Sequence, residues 1–167
     1  MQEAFFDKKF IDELQKFHKL ASTKTYASKD ANVKSQRKGF NELEYKNRKF
    51  YYRDSYVGFY RSFGQEVIYY DDKPVWTCIY GQGMKSNYHQ FEFAINTFNF
   101  LKTCLAKDEQ ITDFVPRGPR YNENDEFQYK SDWIGDIRNF EGKEEILKKA
   151  NQQIVFTHIF FGGLIIE

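Results

Sequence analysis

The sequence predicts an α+β fold, a pseudo-duplicated helix plus antiparallel β-meander, with two helices packed on one curved antiparallel sheet. Three observations predict it. Residues 51–84, YYRDSYVGFYRSFGQEVIYYDDKPVWTCIYGQGM, alternate apolar and polar positions between turn signals, the pattern of a three-stranded meander. A blurred copy of that stretch closes the chain over residues 127–166. Each copy follows a run with helical periodicity.

The copies align by residue. Gly58, Arg61, Phe63, Gly64, Glu66 and Ile68 recur as Gly135, Arg138, Phe140, Gly142, Glu144 and Ile146, with one residue inserted between Phe140 and Gly142. Phe50, Tyr52 and Tyr56 recur as Phe127, Tyr129 and Trp133, and Gly81 matches Gly162. The chain is one domain, 1–167, with half-repeats 4–86 and 87–167. Two copies are too few for a solenoid. The halves are expected to pair about a pseudo-twofold axis, bury the helices on one sheet face, and leave a ring-lined hollow at the seam or on the other face.

The elements follow in order. Phe6, Phe10, Leu14, Phe17 and Ala21 form one stripe and predict a helix over 4–21. Residues 22–38 are polar and aperiodic and read as a long loop. Strands are expected at 41–46 and 49–57, around Asn47-Arg48, then at 65–70 after a bend from Gly58 to Gly64. Asp71-Asp72-Lys73-Pro74 is a turn, and 75–80 ends at the break Gly81-Gln82-Gly83. Phe91, Ala94, Ile95, Phe98, Leu101 and Leu105 predict a second helix over 88–106, with Asn87 as its N-cap. A linker over 107–125 holds Pro116-Arg117-Gly118-Pro119-Arg120, and strands return at 126–134, 143–149 and 154–160.

Composition bounds the function. Aromatic residues make up 19% of the 167 residues, about twice common usage, which suits packed strands or a lined pocket. The net charge of +1 disfavours nucleic acid as a partner, and no run is long and apolar enough for a spanning helix. The N-terminus lacks the apolar core of a signal peptide, so a cytoplasmic location is expected, with Cys78 and Cys104 as reduced thiols.

Motifs at Thr25-Tyr26-Ala27, Glu42-Leu43-Glu44-Tyr45, Tyr52-Arg53-Asp54-Ser55-Tyr56, Gly64-Gln65-Glu66-Val67, Lys73-Pro74-Val75-Trp76, Arg117-Gly118-Pro119 and Gly162-Gly163-Leu164-Ile165 carry a resemblance. In their order and spacing the chain resembles an uncharacterised bacterial domain-of-unknown-function family, free-standing or fused behind an Xre-type helix-turn-helix. The resemblance implies a sensing or partner-binding role in regulators. The chain departs from the family pattern at Ser28-Lys29-Asp30-Ala31 and at Cys78-Ile79-Tyr80, and neither helix is followed by the short turn and second helix of a helix-turn-helix.

Candidate ligand-binding residues are Tyr52, Tyr56, Glu66, Trp76, Trp133 and Glu144: two acids at matching strand positions with ring faces around them. The competing reading pairs each acid with the arginine of its own copy, Arg61 or Arg138, as a structural pin. Arg53 and Asp54 alternate to opposite faces of a strand and cannot serve one site together unless a bulge intervenes. His18, His89 and His158 show no metal spacing and read as surface or core residues; no metal and no cofactor is expected. No nucleophile elbow or phosphate loop is present. The expected function is a non-enzymatic binding module for a small organic ligand or a protein partner, in a bacterial regulatory or defence setting. The alternatives are an enzyme using Asp54, Glu66 or Glu144 as general acid or base, and a nucleotide or single-strand binder through Lys34, Arg37, Lys38, Arg117 and Arg120.

Overall fold

The computed structural model describes residues 6–27, 31–107 and 113–166. Residues 4 and 5 of the expected first helix, Ser28-Lys29-Asp30 and residues 108–112 of the expected linker lie outside them. The elements are α1 (Lys8–Ala27), β1 (Asn32–Val33), β2 (Asn41–Asn47), β3 (Phe50–Val57), β4 (Arg61–Tyr70), β5 (Lys73–Met84), α2 (Phe91–Leu105), β6 (Tyr121–Glu123), β7 (Phe127–Asp136), β8 (Asn139–Lys148) and β9 (Gln153–Leu164). All nine strands form one antiparallel sheet in the order β1-β2-β3-β4-β5-β9-β8-β7-β6. The two meanders are thus two halves of one open sheet, and both helices pack on it.

The seam is the β5–β9 ladder, and it is symmetric. Tyr80 faces Phe160 at its centre; Trp76 faces Leu164 just as Met84 faces Phe156. Backbone bonds outside the ladder repeat the symmetry. Met84 N donates to Tyr60 O at 2.7 Å and Leu164 N to Arg138 O at 3.0 Å; Lys85 N donates to Val155 O and Ile165 N to Val75 O, both at 2.9 Å.

The pairing moves the inserted residue. Tyr56–Gly64 and Trp133–Gly142 are equivalent pairs, so Gly58 matches Gly135 while Arg61 matches Asn139 and Phe63 matches Glu141. The extra residue lies in the β7–β8 turn, not between Phe140 and Gly142. Phe63 accordingly points outward at 56% exposure while Phe140 is buried. Likewise Gly81 does not match Gly162, which stands in the place of Gln82. The matching glycines are Gly83 and Gly163: an added Cβ at either would collide with the backbone of the neighbouring turn, at Tyr60 O or Arg138 O. The glycines at 64 and 142 have a different reason. A Cβ there would lie 2.5 Å from the Tyr80 ring or 2.7 Å from the Phe160 ring, so each lets an aromatic ring from the seam lie flat on its strand.

Several boundaries differ from those expected. α1 starts at Lys8, where Asp7 Oδ1 accepts the Phe10 N–H at 2.8 Å, and continues to Ala27. Ser22, Thr23 and Thr25 stay helical by donating their hydroxyls to carbonyls one turn back. α2 starts at Phe91, after a 3₁₀ turn at Ser86–Tyr88, so Asn87 is not its N-cap. The Gly81-Gln82-Gly83 and Gly162-Gly163 stretches do not end their strands; the ladder runs through both. The short edge strands β1 and β6 lie in stretches read as loop and linker.

α1 buries Phe10, Leu14, Phe17 and Ala21 against Phe50, Tyr52, Ile68 and Trp76, and α2 buries Ala94, Leu101 and Leu105 beside Phe127, Tyr129, Ile146 and Phe156. On the helix side the seam is packed, with Trp76, Cys78, Tyr80, Phe156, His158 and Phe160 all buried, so no hollow opens there. Both cysteines are free thiols. No helix among the described residues is long and apolar enough to cross a membrane.

Candidate functional site

Beneath the helices lies a buried polar network, centred on a residue that the acids' own copies do not supply. The rigid stretch Pro116-Arg117-Gly118-Pro119 lies on the sheet's helix face and is buried throughout. Glycine is required at 118, because a Cβ there would sit 2.5 Å from the Tyr129 hydroxyl, which the Gly118 N–H approaches as donor at 3.2 Å. This close approach seats the Arg117 guanidinium between the two half-repeats. Its Nε donates to Glu144 Oε1 at 2.9 Å, its Nη1 donates to Glu66 Oε1 at 2.6 Å, and its Cζ lies 4.2 Å from the centre of the Tyr80 ring.

Each acid has further partners. Tyr129 donates to Glu144 Oε2 at 2.6 Å, and His158 Nδ1 lies 3.0 Å from Glu144 Oε1. Tyr26 bridges Glu66 Oε1 at 3.3 Å and Asp54 Oδ2 at 3.2 Å, and Tyr80 donates to Asp54 Oδ1 at 2.9 Å. Two buried carboxyl groups thus share one guanidinium, and a third, Asp54, is tied to Glu66 through Tyr26. Burial disfavours the charge on Glu144, but Arg117, His158 and Tyr129 together hold its pKa down at about 2. Glu66 goes the other way: burial, reinforced by the negative charge of Asp54 and Glu144, outweighs Arg117 and raises its pKa to about 8. Burial also raises Asp54, against the pull of Arg117 and Tyr80. Arg117–Glu144 is therefore the firmer ion pair, and Glu66, set beside Asp54, holds its proton to a higher pH than Glu144.

Neither arginine of the competing reading takes part. Arg61 donates to Ser86 Oγ at 3.3 Å and Arg138 pairs with Asp136 at 3.0 Å, both at the exposed end of the sheet. Arg53 points to the outer face and pairs with Glu42 and Glu44, opposite Asp54. Of the expected basic cluster, Arg117 is buried, Arg37 stacks on Phe40, and Arg120 pairs with Asp132 and stacks on Trp133.

The six candidate ligand residues are split. Tyr52, Glu66, Trp76 and Glu144 are fully buried, with Trp76 Nε1 donating to Ile137 O at 3.0 Å. Tyr56 packs at the edge of the first core, and Trp133 lines an open groove against Lys8 and Ile11 of α1. A cavity of about 340 Å³ lies between α1, the end of α2 and residues 113–119, lined among others by His18, Ser22, Leu105, Phe114 and Arg117. His18 is its unexpected member. It meets the Trp76 ring edge-on and the Phe114 ring at a tilt, burial and then Arg117 lower its pKa to about 4, and its buried Nε2 has no hydrogen-bond partner. The only sequence signal for it was a histidine beside the apolar stripe of α1. Among the described residues no cluster of histidine, cysteine, aspartate and glutamate is arranged to hold a metal ion.

The segments that carry the family resemblance supply much of this network: Tyr26, Asp54, Glu66 and Arg117 come from four of them. No curated protein and no solved structure matches the chain. A family match covers residues 54–165, which is most of the chain and includes the three buried acids and Arg117, and by it the chain belongs to the family described as Domain of unknown function (DUF5680).

Proposed function

We propose that the chain is a binding module for a small polar organic ligand, seated in the cavity between α1, the end of α2 and residues 113–119. The observation that carries this reading is His18: a neutral imidazole with a buried, unpartnered Nε2, on the wall of a cavity that Arg117 also lines. An unsatisfied buried polar atom costs about 1–3 kcal/mol, which a ligand group would recover if the cavity wall shifts to admit it to Nε2. The volume of about 340 Å³ is at the small end of ligand pockets. Arg117 spends two of its N–H donors on Glu144 and Glu66, so a ligand with an acceptor oxygen suits the remainder of its fork. In a regulator, occupancy would be read through Arg117, which touches both halves of the sheet.

The test is a thermal-shift screen over small carboxylates and polyols, repeated on His18→Phe, which fills the cavity wall. A compound that raises the melting temperature of the parent chain and not of His18→Phe is expected. If no compound class shifts the parent chain, the reading fails.

A protein partner is the second reading. It is favoured by the outer sheet face, where Phe63, Ile134, Ile159 and Phe161 are each about half exposed or more. Sedimentation across a hundredfold concentration range, with Phe161→Ser as control, tests the simplest version, self-association.

A further inference from the structure

On the helix face, one row of residues crosses four strands. Ser62 of β4 faces Gln82 of β5, Gln82 faces His158 of β9, and His158 faces Glu144 of β8. Within this row Ser62 Oγ lies 3.3 Å from His158 Nε2, and His158 Nδ1 lies 3.0 Å from Glu144 Oε1. Glu144 accepts from Arg117 on the same oxygen and from Tyr129 on the other, so it is an acceptor on every side. The hydrogen between Glu144 and His158 must therefore sit on Nδ1. That leaves the Nε2 lone pair facing the Ser62 hydroxyl, the polarity a general base needs.

Access and backbone agree with this. His158 and Glu144 are 3% and 0% exposed, whereas Ser62 keeps partial contact with solvent. Gln82, between serine and histidine in the row, is a non-glycine residue held at φ +102°, a strained conformation of the kind that concentrates at functional sites. The twofold mate of the row provides an internal contrast: Phe140, Gly162, Cys78 and Glu66 stand where Ser62, Gln82, His158 and Glu144 stand. The same scaffold position carries an apolar ring in one half and a hydroxyl on an imidazole in the other.

We propose that Ser62 is a nucleophile that takes the acyl group of small activated esters, with His158 as its base and Glu144 as the positioning residue. Ser62 Oγ bonds to the acyl carbon as its proton passes to His158 Nε2, and the carbonyl π pair moves onto oxygen. Collapse of that adduct breaks the bond to the leaving oxygen, which takes the proton back from His158. Water then attacks the acyl-serine, with His158 again removing a proton, and releases the acid with Ser62 restored. This site does not rest on the cavity at His18.

The test is exposure of the full chain to an alkyl fluorophosphonate, which forms a phosphonyl-serine and releases fluoride. Intact mass and peptide mapping follow the adduct. A single adduct on Ser62 is expected, absent from Ser62→Ala at an unchanged melting temperature, and slowed by about a hundredfold or more in His158→Gln. If His158→Gln does not fold, the pH profile of labelling in the parent chain replaces it, and the rate must fall on acidification through a single protonation. No adduct at Ser62, an adduct elsewhere, or a rate indifferent to His158 and to pH overturns the proposal.

Discussion

Glu66 and Glu144 occupy equivalent places in the two halves of one sheet, and their chemistry is opposite. Each lies on the second strand of its meander, faces the helices and is almost completely buried. Each also contacts Arg117. Glu144 faces His158 across the ladder and Ser131 on the other side; Glu66 faces Cys78 and Asp54. One acid therefore gains a donor, His158, and the other gains a second acid, Asp54. One guanidinium cannot neutralise both, and it resolves the competition in favour of the acid with the better hydrogen bonds. Duplication supplies a scaffold of two matched positions, and a few neighbours divide them into an ionised anchor and an acid that holds its proton to higher pH.

Removing the shared cation breaks this inequality hardest. Arg117→Ala leaves Glu144 buried without its counter-charge and is expected to cost about 3–5 kcal/mol in urea denaturation at pH 7. A cost below about 1 kcal/mol would mean that Arg117 is not the counter-ion. Phe140 and Phe63 give the next contrast. Phe140→Ala is expected to cost about 3–5 kcal/mol and Phe63→Ala no more than about 0.5 kcal/mol, because only the first is in the core. Similar costs at both positions would restore the alignment in which they are equivalent.

That alignment shows how far the sequence could be read. Helix periodicity and strand alternation are local, so two helices, two meanders and their duplication were legible. The faces were legible too, had parity been applied: Phe63 is three residues from Glu66, whereas Phe140 is four from Glu144, so the two rings point opposite ways. The same parity separates Arg61 from Glu66. Arg117 was harder. Its partners lie 51 and 27 residues away, and only the assembled sheet brings residues 113–119 across the seam. The nearest signal was an arginine set among prolines and a glycine, chemistry suited to a fixed, buried turn. His158 gave less still, since its contact with Ser62 depends on the register of β5 against β9.

Smaller effects sharpen the comparison. Gly64→Ala is expected to lose about 1–3 kcal/mol, because its Cβ must clear the Tyr80 ring, and Gly142→Ala more, because its Cβ must also clear the Asp132 carbonyl oxygen. A smaller loss at Gly142 than at Gly64 would mean that the ring alone sets the cost at both sites. The last effect is a slope. Glu66 binds its proton more tightly folded than unfolded, so stability falls as pH rises from its ordinary value of 4.5 toward about 8. Glu66→Gln should flatten that limb. Glu144 acts in the opposite sense: its contribution is present above 4.5 and is lost as pH falls toward about 2. Glu144→Gln should flatten the acid limb and also shorten the alkaline one, because the Glu144 charge helps to raise Glu66. An alkaline limb untouched by Glu144→Gln would mean that the two acids do not feel one another.

The most direct measurement is a carbon-13 NMR titration of the side-chain carboxyl carbons of Glu66 and Glu144 in the folded chain. Glu144 is expected to keep the shift of an ionised carboxylate from neutrality down to about pH 2, while Glu66 stays protonated well above its ordinary range and titrates near 8. Two glutamates titrating together near the ordinary 4.5, or both ionised at neutral pH, would contradict it.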